Sequence, residues 1–129
     1  MDLISTFICM TKDLGIHNNL FGGILLAHID EAGASLATQV CDTPMMVTLK
    51  MEEVIFKKPV KVGNLIKIYG DVFNIGNTSI TIKIEARKHN VYTGVEKIVC
   101  STKITFVRID EDGDSVPISE RVKKKFGFS

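Results

Sequence analysis

An α+β domain, one long helix lying against a single antiparallel sheet, is the fold this sequence predicts. Three observations carry that reading. Residues 17–40 hold the one long stretch in which apolar side chains recur at helical spacing. After Pro44 come four long β-prone segments with no helix between them. Short turns join those segments, and strands joined in that way pair antiparallel. One helix then has one sheet to cover, and a strongly curved sheet can wrap it.

Residues 3–10 (LISTFICM) are short, apolar and β-prone and read as the first strand. Residues 11–19 follow as a polar, glycine-containing loop. The helix opens at Gly22-Gly23. Asn18 or Asn19 is its expected cap, a side chain able to accept from the free N–H groups of the first turn. Phe21, Leu25, Ile29, Ala32, Leu36 and Val40 form one wide stripe, while Leu26, Ala27, Gly33, Ala34 and Ala37 leave the other side apolar and mostly small. A helix apolar all round is expected to be buried. One carboxylate, Asp30, sits in its middle, where an unpaired charge is costly. Residues 41–44 (CDTP) end the helix, because Pro44 cannot continue it and pushes Thr43 toward extended geometry.

Residues 45–56 read as a strand with partial alternation, and 57–64 (KKPVKVGN) as a turn-rich connection. Residues 65–75 are β-rich, with Ile66, Ile68, Gly70, Val72 and Asn74 on one parity, and Gly76-Asn77 punctuates them. Residues 78–89 alternate cleanly, Ile80, Ile82, Ile84 and Ala86 facing one way and Thr81, Lys83 and Glu85 the other. Residues 89–97 read as a hairpin turn and 97–110 as the closing strand. Residues 1–118 form one domain, and 119–129 are a polar, basic tail. Arg121, Lys123, Lys124 and Lys125 in that tail are expected to be a solvated charged end that extends a phosphate-attracting field.

Bulk properties exclude several classes. At 129 residues, 45% hydrophobic and 24% charged, the chain suits one soluble globular domain with a core built without Trp. A formal net charge of +1 argues for neither nucleic acid nor membrane. No apolar run reaches the roughly 18–20 residues of a membrane span. The N-terminus lacks the basic start and small-residue cleavage site of a signal peptide. Cys9, Cys41 and Cys100 are odd in number and far apart, so a reducing, cytoplasmic setting is expected rather than disulfides or zinc. No spacing pairs Cys41 or Cys100 with His28 or His89 as a nucleophile, and His28 reads as a packed residue. Without a phosphate-binding glycine motif or a metal cluster, no metal and no cofactor is expected.

Taken together, NNLFGGILLAHIDEAGA, VTLKMEEVIFKKPVKVGNLIKIYGDV, GNTSITIKIEA and TFVRIDEDG resemble the hotdog-fold acyl-CoA thioesterases, most of all the bacterial YciA-type acyl-CoA hydrolases. The resemblance spans roughly residues 10–118. It rests on three features together: F-G-G-x(6)-D, F-x-x-P-V-x-V-G and the late F-V-x-I-D. It implies a helix wrapped by a curved antiparallel sheet, and a homodimer whose sheets join edge to edge. Such dimers associate further into tetramers or hexamers, with active sites built from both subunits. The implied substrate is an acyl-CoA, whose CoA is part of the reaction and not a cofactor.

Thioester hydrolysis needs an activated water or nucleophile and donors for the oxyanion. The Gly22-Gly23 helix start supplies such donors, because first-turn N–H groups lack intrahelical partners and the helix dipole favours negative charge there. The resemblance gives the Gly23 amide, with Gly22, the task of polarising the thioester. It gives Asp30 the role of general base or nucleophile, and burial would make that carboxylate a better base. Asp30 lies seven residues beyond Gly23, about 10 Å along the helix axis. That is too far for one carbonyl within one subunit, so the Asp30 of one subunit is expected to face the Gly23 of the other. Glu31 points about 100° away from Asp30 and reads as a solvated or interface charge. His17, where the family usually has Asn, and Asn18 could orient the water or acyl group. Thr48 matches a family threonine near the catalytic Asp and could hold the water. Asn77, Thr78 and Ser79 match the family's CoA-contacting turn, and Lys57, Lys58 and Arg87 are candidates for the CoA phosphates. Two alternatives stand beside hydrolysis: a hotdog enoyl-CoA hydratase or dehydratase using His17, and a non-catalytic acyl-CoA-binding protein.

Overall fold

In the computed structural model, which describes residues 1–126, period-2 alternation becomes a five-stranded antiparallel sheet. Its strands are β1 (Asp2–Ile8), β2 (Met46–Phe56), β3 (Leu65–Ile75), β4 (Ser79–His89) and β5 (Glu96–Arg108), in spatial order β1-β3-β4-β5-β2. The helix α1 runs Gly22–Cys41 and lies on one face. A 3₁₀ turn, Thr11–Asp13, precedes it, and a short helix α2, Glu120–Lys125, follows β5.

The core is the meeting of α1 with the inward parity of the middle strands. Ile66 and Ile68 of β3, Ile80, Ile82, Ile84 and Ala86 of β4, and Ile104 and Phe106 of β5 are fully buried. Leu25, Ile29, Ala32, Ala37 and Cys41 of α1 pack into the same cluster. Burying each large aliphatic side chain stabilises the fold by about 1.5–3 kcal/mol. Two glycines permit the closeness of the layers. A Cβ on Gly33 would stand 3.0 Å from the Phe106 ring, and one on Gly70 would stand 2.5 Å from Ile4 Cδ1.

Three expectations need correcting. The connection 57–64 is a crossover and not a hairpin: β2 pairs with β5, while β3 pairs with β1 and β4. The crossover is tied down by its own backbone, since the Leu20 N–H donates to Val60 O at 2.8 Å and the Cys9 N–H to Asn64 O at 3.0 Å. Second, α1 is not enclosed within one chain. Gly23, Ala27, Glu31, Ser35 and Gln39 are exposed, because a single sheet covers only one side. Third, the basic end is not wholly solvated. Ser119 caps α2, Val122 is buried, and the Lys123 side chain is sunk to 8% exposure. Lys123 Nζ donates to Asn77 Oδ1 at 2.8 Å, and Arg121 pairs with Asp42 just past the end of α1. The part of the tail after residue 126 lies outside the described residues.

Candidate active site

The open face of α1 and the neighbouring edge strand β2 meet at Asp30. Thr48 Oγ1, on β2, donates to Asp30 Oδ1 at 2.8 Å. The carboxylate is half-buried and Thr48 is exposed, so within one chain Asp30 is not the buried charge the apolar helix suggested. β2 holds Thr48 in place through its ladder with β5, where Thr48 stands opposite Phe106. The strand also carries Val47, Leu49, Ile55 and Phe56, all exposed.

Gly22 and Gly23 open the same helix two turns earlier. The cap is Phe21, not Asn18 or Asn19: its carbonyl accepts from the Ile24 and Leu25 N–H groups at 3.0 and 3.1 Å, and no side chain caps the turn. Asn18 instead takes a left-handed conformation (φ 61°), which asparagine tolerates. Among the described residues no acceptor takes the Gly22 or Gly23 N–H. These are the donors an oxyanion needs. Absence of side chains matters at both positions. A Cβ on Gly23 would lie 2.8 Å from the Phe21 ring, and one on Gly22 would lie 3.3 Å from Phe56.

Beside Gly22 lies a cavity of about 410 Å³ lined by Asn19, Phe56, Lys57, Lys58, Pro59 and Val60 among others. The structure thus brings Lys58 and Lys57 to the helix start. Asn19, expected as a cap, instead has its Oδ1 buried without a hydrogen-bond partner among the described residues. The signal for this cradle was the F-x-x-P-V segment itself. His17 and Asn18 lie exposed in the loop before α1.

Two groups of expected residues lie elsewhere. Arg87 is drawn into an ion network: its guanidinium pairs with Glu85 at 2.7 Å and Glu96 at 3.4 Å and sits 4.1 Å from the Tyr69 ring centre. The turn holding Asn77, Thr78 and Ser79 lies beside Arg108, whose N–H donates to Thr78 O at 2.9 Å, and toward the C-terminal end of α1, since α2 reaches both Asn77 through Lys123 and Asp42 through Arg121. Gly22 is at the other end of that helix, about 30 Å away by helical rise. Asn77 is held by Lys123, a contact that reading the tail as solvated missed. Within one chain, therefore, Asp30 meets Thr48, Gly22 meets Lys57 and Lys58, and these groups meet neither each other nor the 77–79 turn.

The cysteines take no part. Burial, reinforced by Asp42, pushes the Cys41 thiol up to about 11, and burial alone does the same to Cys100. Both stay protonated at neutral pH and are poor nucleophiles. No helix among the described residues is long and apolar enough to cross a membrane.

Residues 17–95 match the family model described as the thioesterase superfamily. An uncharacterized acyl-CoA thioester hydrolase of Haemophilus influenzae is 31% identical over 116 residues, 88% of this chain and 75% of that one. The acyl-CoA thioester hydrolase YciA of Salmonella typhimurium is 29% identical over 120 residues, 91% of this chain and 90% of that one. Among solved structures, a hexameric hotdog fold thioesterase of Campylobacter jejuni superposes with a TM-score of 0.86 at 36% identity, covering 99% of this chain and 98% of that one.

Proposed function

The chain belongs to the thioesterase superfamily, and on that premise we propose that it hydrolyses acyl-CoA thioesters to free carboxylic acid and CoA, at sites completed between two copies of the chain. The observation that carries the reading is the Asp30–Thr48 hydrogen bond on the unfinished side of the molecule. A carboxylate fixed by a threonine, next to an edge strand with exposed apolar side chains, is half of a site.

The chemistry follows from the parts. The partner's Gly23 N–H, with that of Gly22 beside it, donates to the thioester oxygen and stabilises the negative charge that develops on it. Asp30 takes the proton of a water that attacks the carbonyl carbon, or attacks that carbon itself. The C–S bond then breaks: in the first case the proton held by Asp30 passes to the departing CoA thiolate, and in the second water hydrolyses the mixed anhydride left on Asp30, releasing the acid, freeing the carboxylate and supplying the thiolate's proton. Thr48 fixes the carboxylate's rotamer through its O–H, leaving its oxygen lone pairs for the water. Lys57 and Lys58 flank the cavity beside Gly22 and suit the phosphates of CoA. The assembly proposed is a homodimer joined along β2, further associated as a hexamer or tetramer, and the proposed location is the cytoplasm. No metal or cofactor enters the scheme.

Asp30→Asn is the deciding variant. Thr48 can still donate to the amide oxygen, so fold and assembly are expected to persist. Turnover of an acyl-CoA, followed by thiol release, is expected to fall by about a thousandfold, within the usual range for losing a general base. Full activity in that variant would remove Asp30 from the mechanism.

A further inference from the structure

The hydrolytic scheme leaves unused a second cavity, about 590 Å³, at the far end of the β4–β5 hairpin. Its lining includes Asn64, Lys88, His89, Tyr92, Val95 and Lys97. Its size suits a small molecule. Lys88 and Lys97 stand directly opposite each other across the β4–β5 ladder. Like charges so placed repel and destabilise the pair. The ion pairs at this end run from Lys67, Arg87 and His89 to Glu85 and Glu96, and none among the described residues engages Lys88 or Lys97.

The remaining wall is already built. His89 Nδ1 is held by Glu96 Oε2 at 2.7 Å, which fixes the ring and leaves Nε2 as its other polar atom. The hairpin loop is ordered by Asn90, whose Oδ1 accepts from the Tyr92 and Thr93 N–H groups at 2.9 and 3.2 Å. The Gly94 N–H closes the loop onto Asn90 O at 2.7 Å. On this rigid loop Tyr92 is 95% exposed, with Val91 and Val95 beside it. Two unneutralised ammonium groups beside an aromatic and aliphatic wall match an anion attached to an apolar or planar body.

We propose that this cavity binds a phosphate-bearing small molecule, with Lys88 and Lys97 taking the phosphate between them and Tyr92 covering the rest. Two sources share this chemistry: the phosphates of CoA itself and those of a free phosphorylated compound.

Calorimetric titration of the full chain with inorganic pyrophosphate tests the proposal without relying on thioester hydrolysis. The wild type is expected to bind, and Lys88→Gln with Lys97→Gln to weaken binding roughly tenfold or more. Lys88→Arg with Lys97→Arg keeps the charges and is expected to bind as the wild type does, which separates charge from folding. If CoA is the source, saturating CoA displaces pyrophosphate, and dephospho-CoA does so less well. If a free compound is the source, pyrophosphate binds the CoA-saturated protein unchanged. Either outcome upholds the site. No binding by the wild type overturns it, as does unchanged affinity in the glutamine pair. Loss of pyrophosphate binding in Lys57→Gln with Lys58→Gln also overturns it, because the anion then belongs to the cavity beside Gly22.

Discussion

β4 and β2 are strands of equal length, 11 residues each, and both are rich in aliphatic side chains. In β4 the inward side chains Ile80, Ile82, Ile84 and Ala86 are all buried. In β2 Met46 alone is, while Leu49 remains 61% exposed and Phe56 53%. The difference is position. β4 has a strand on each side and α1 on its face. β2 has β5 on one side and nothing within the chain on the other. Its two register irregularities and the left-handed Glu53 twist it in the manner of an edge. An edge strand that natural selection meant to leave in water would carry charges or proline along it. β2 does carry Lys50, Glu52 and Glu53 in its middle, but the exposed Val47 and Leu49 before them and Ile55 and Phe56 after them suit a strand that finishes its sheet on a second copy.

Breaking each strand in turn is expected to give different kinds of failure. The largest effect is expected from Val47→Lys with Leu49→Lys in β2. This pair should dissociate the assembly and abolish hydrolysis together, read by sedimentation and thiol release. An active monomer would end the two-subunit reading. In β4, Ile82→Ala leaves a cavity in a fully packed core and should cost about 2–5 kcal/mol in denaturant unfolding. The two signatures are separable, since loss at β2 should depend on protein concentration.

Smaller still is Thr48→Val, which keeps the shape of β2 and removes the hydroxyl that holds Asp30. A hydrogen bond to a charged group contributes about 1.5–3 kcal/mol, so turnover should fall roughly tenfold to a hundredfold with the assembly intact. The smallest effect lies on the outer surface of β3–β5. Burial raises the Glu96 pKa, but hydrogen bonds from His89, Tyr69 and Arg87 outweigh it and hold the carboxyl below its ordinary 4.5. Its contribution to stability is therefore complete above that ordinary value and is lost as pH falls through the lowered one. Thermal unfolding of Glu96→Gln should lie below wild type at neutral pH, with the gap closing in acid. A gap independent of pH would mean that packing, not charge, sets the difference.

What the sequence made legible follows the range of the forces involved. The alternation of Ile80, Ile82, Ile84 and Ala86 is local and strict, and these residues share one buried face. The helix and its glycine start were legible for the same reason. The partner of β2 was not, because an eight-residue connection with Pro59 can close a hairpin or cross the sheet, and the choice rests on remote contacts such as Leu20 to Val60. Lys123 was misread because a basic run suggests solvent, whereas one helical turn from Ser119 carries Val122 and Lys123 inward. The ion network that holds Arg87 was only half legible, because Glu85 lies two residues away on the same strand but Glu96 nine residues away, across a hairpin. Of the candidate site, Asp30, Thr48 and the glycines could be named from the chain alone. The expectation that one copy's Gly23 faces the other's Asp30 rests on their spacing along the helix, whereas the side chains around them belong to a second chain.

The three buried cysteines have a chemical meaning in this setting. An enzyme that opens thioesters works beside activated acyl donors and a constantly released free thiol. Any accessible thiolate on its own surface would be acylated by the one and drawn into mixed disulfides with the other. Cys41 and Cys100, sealed from solvent and protonated up to about 11, are inert to both. Packing sulfur inward insulates the catalyst from its own substrate and product.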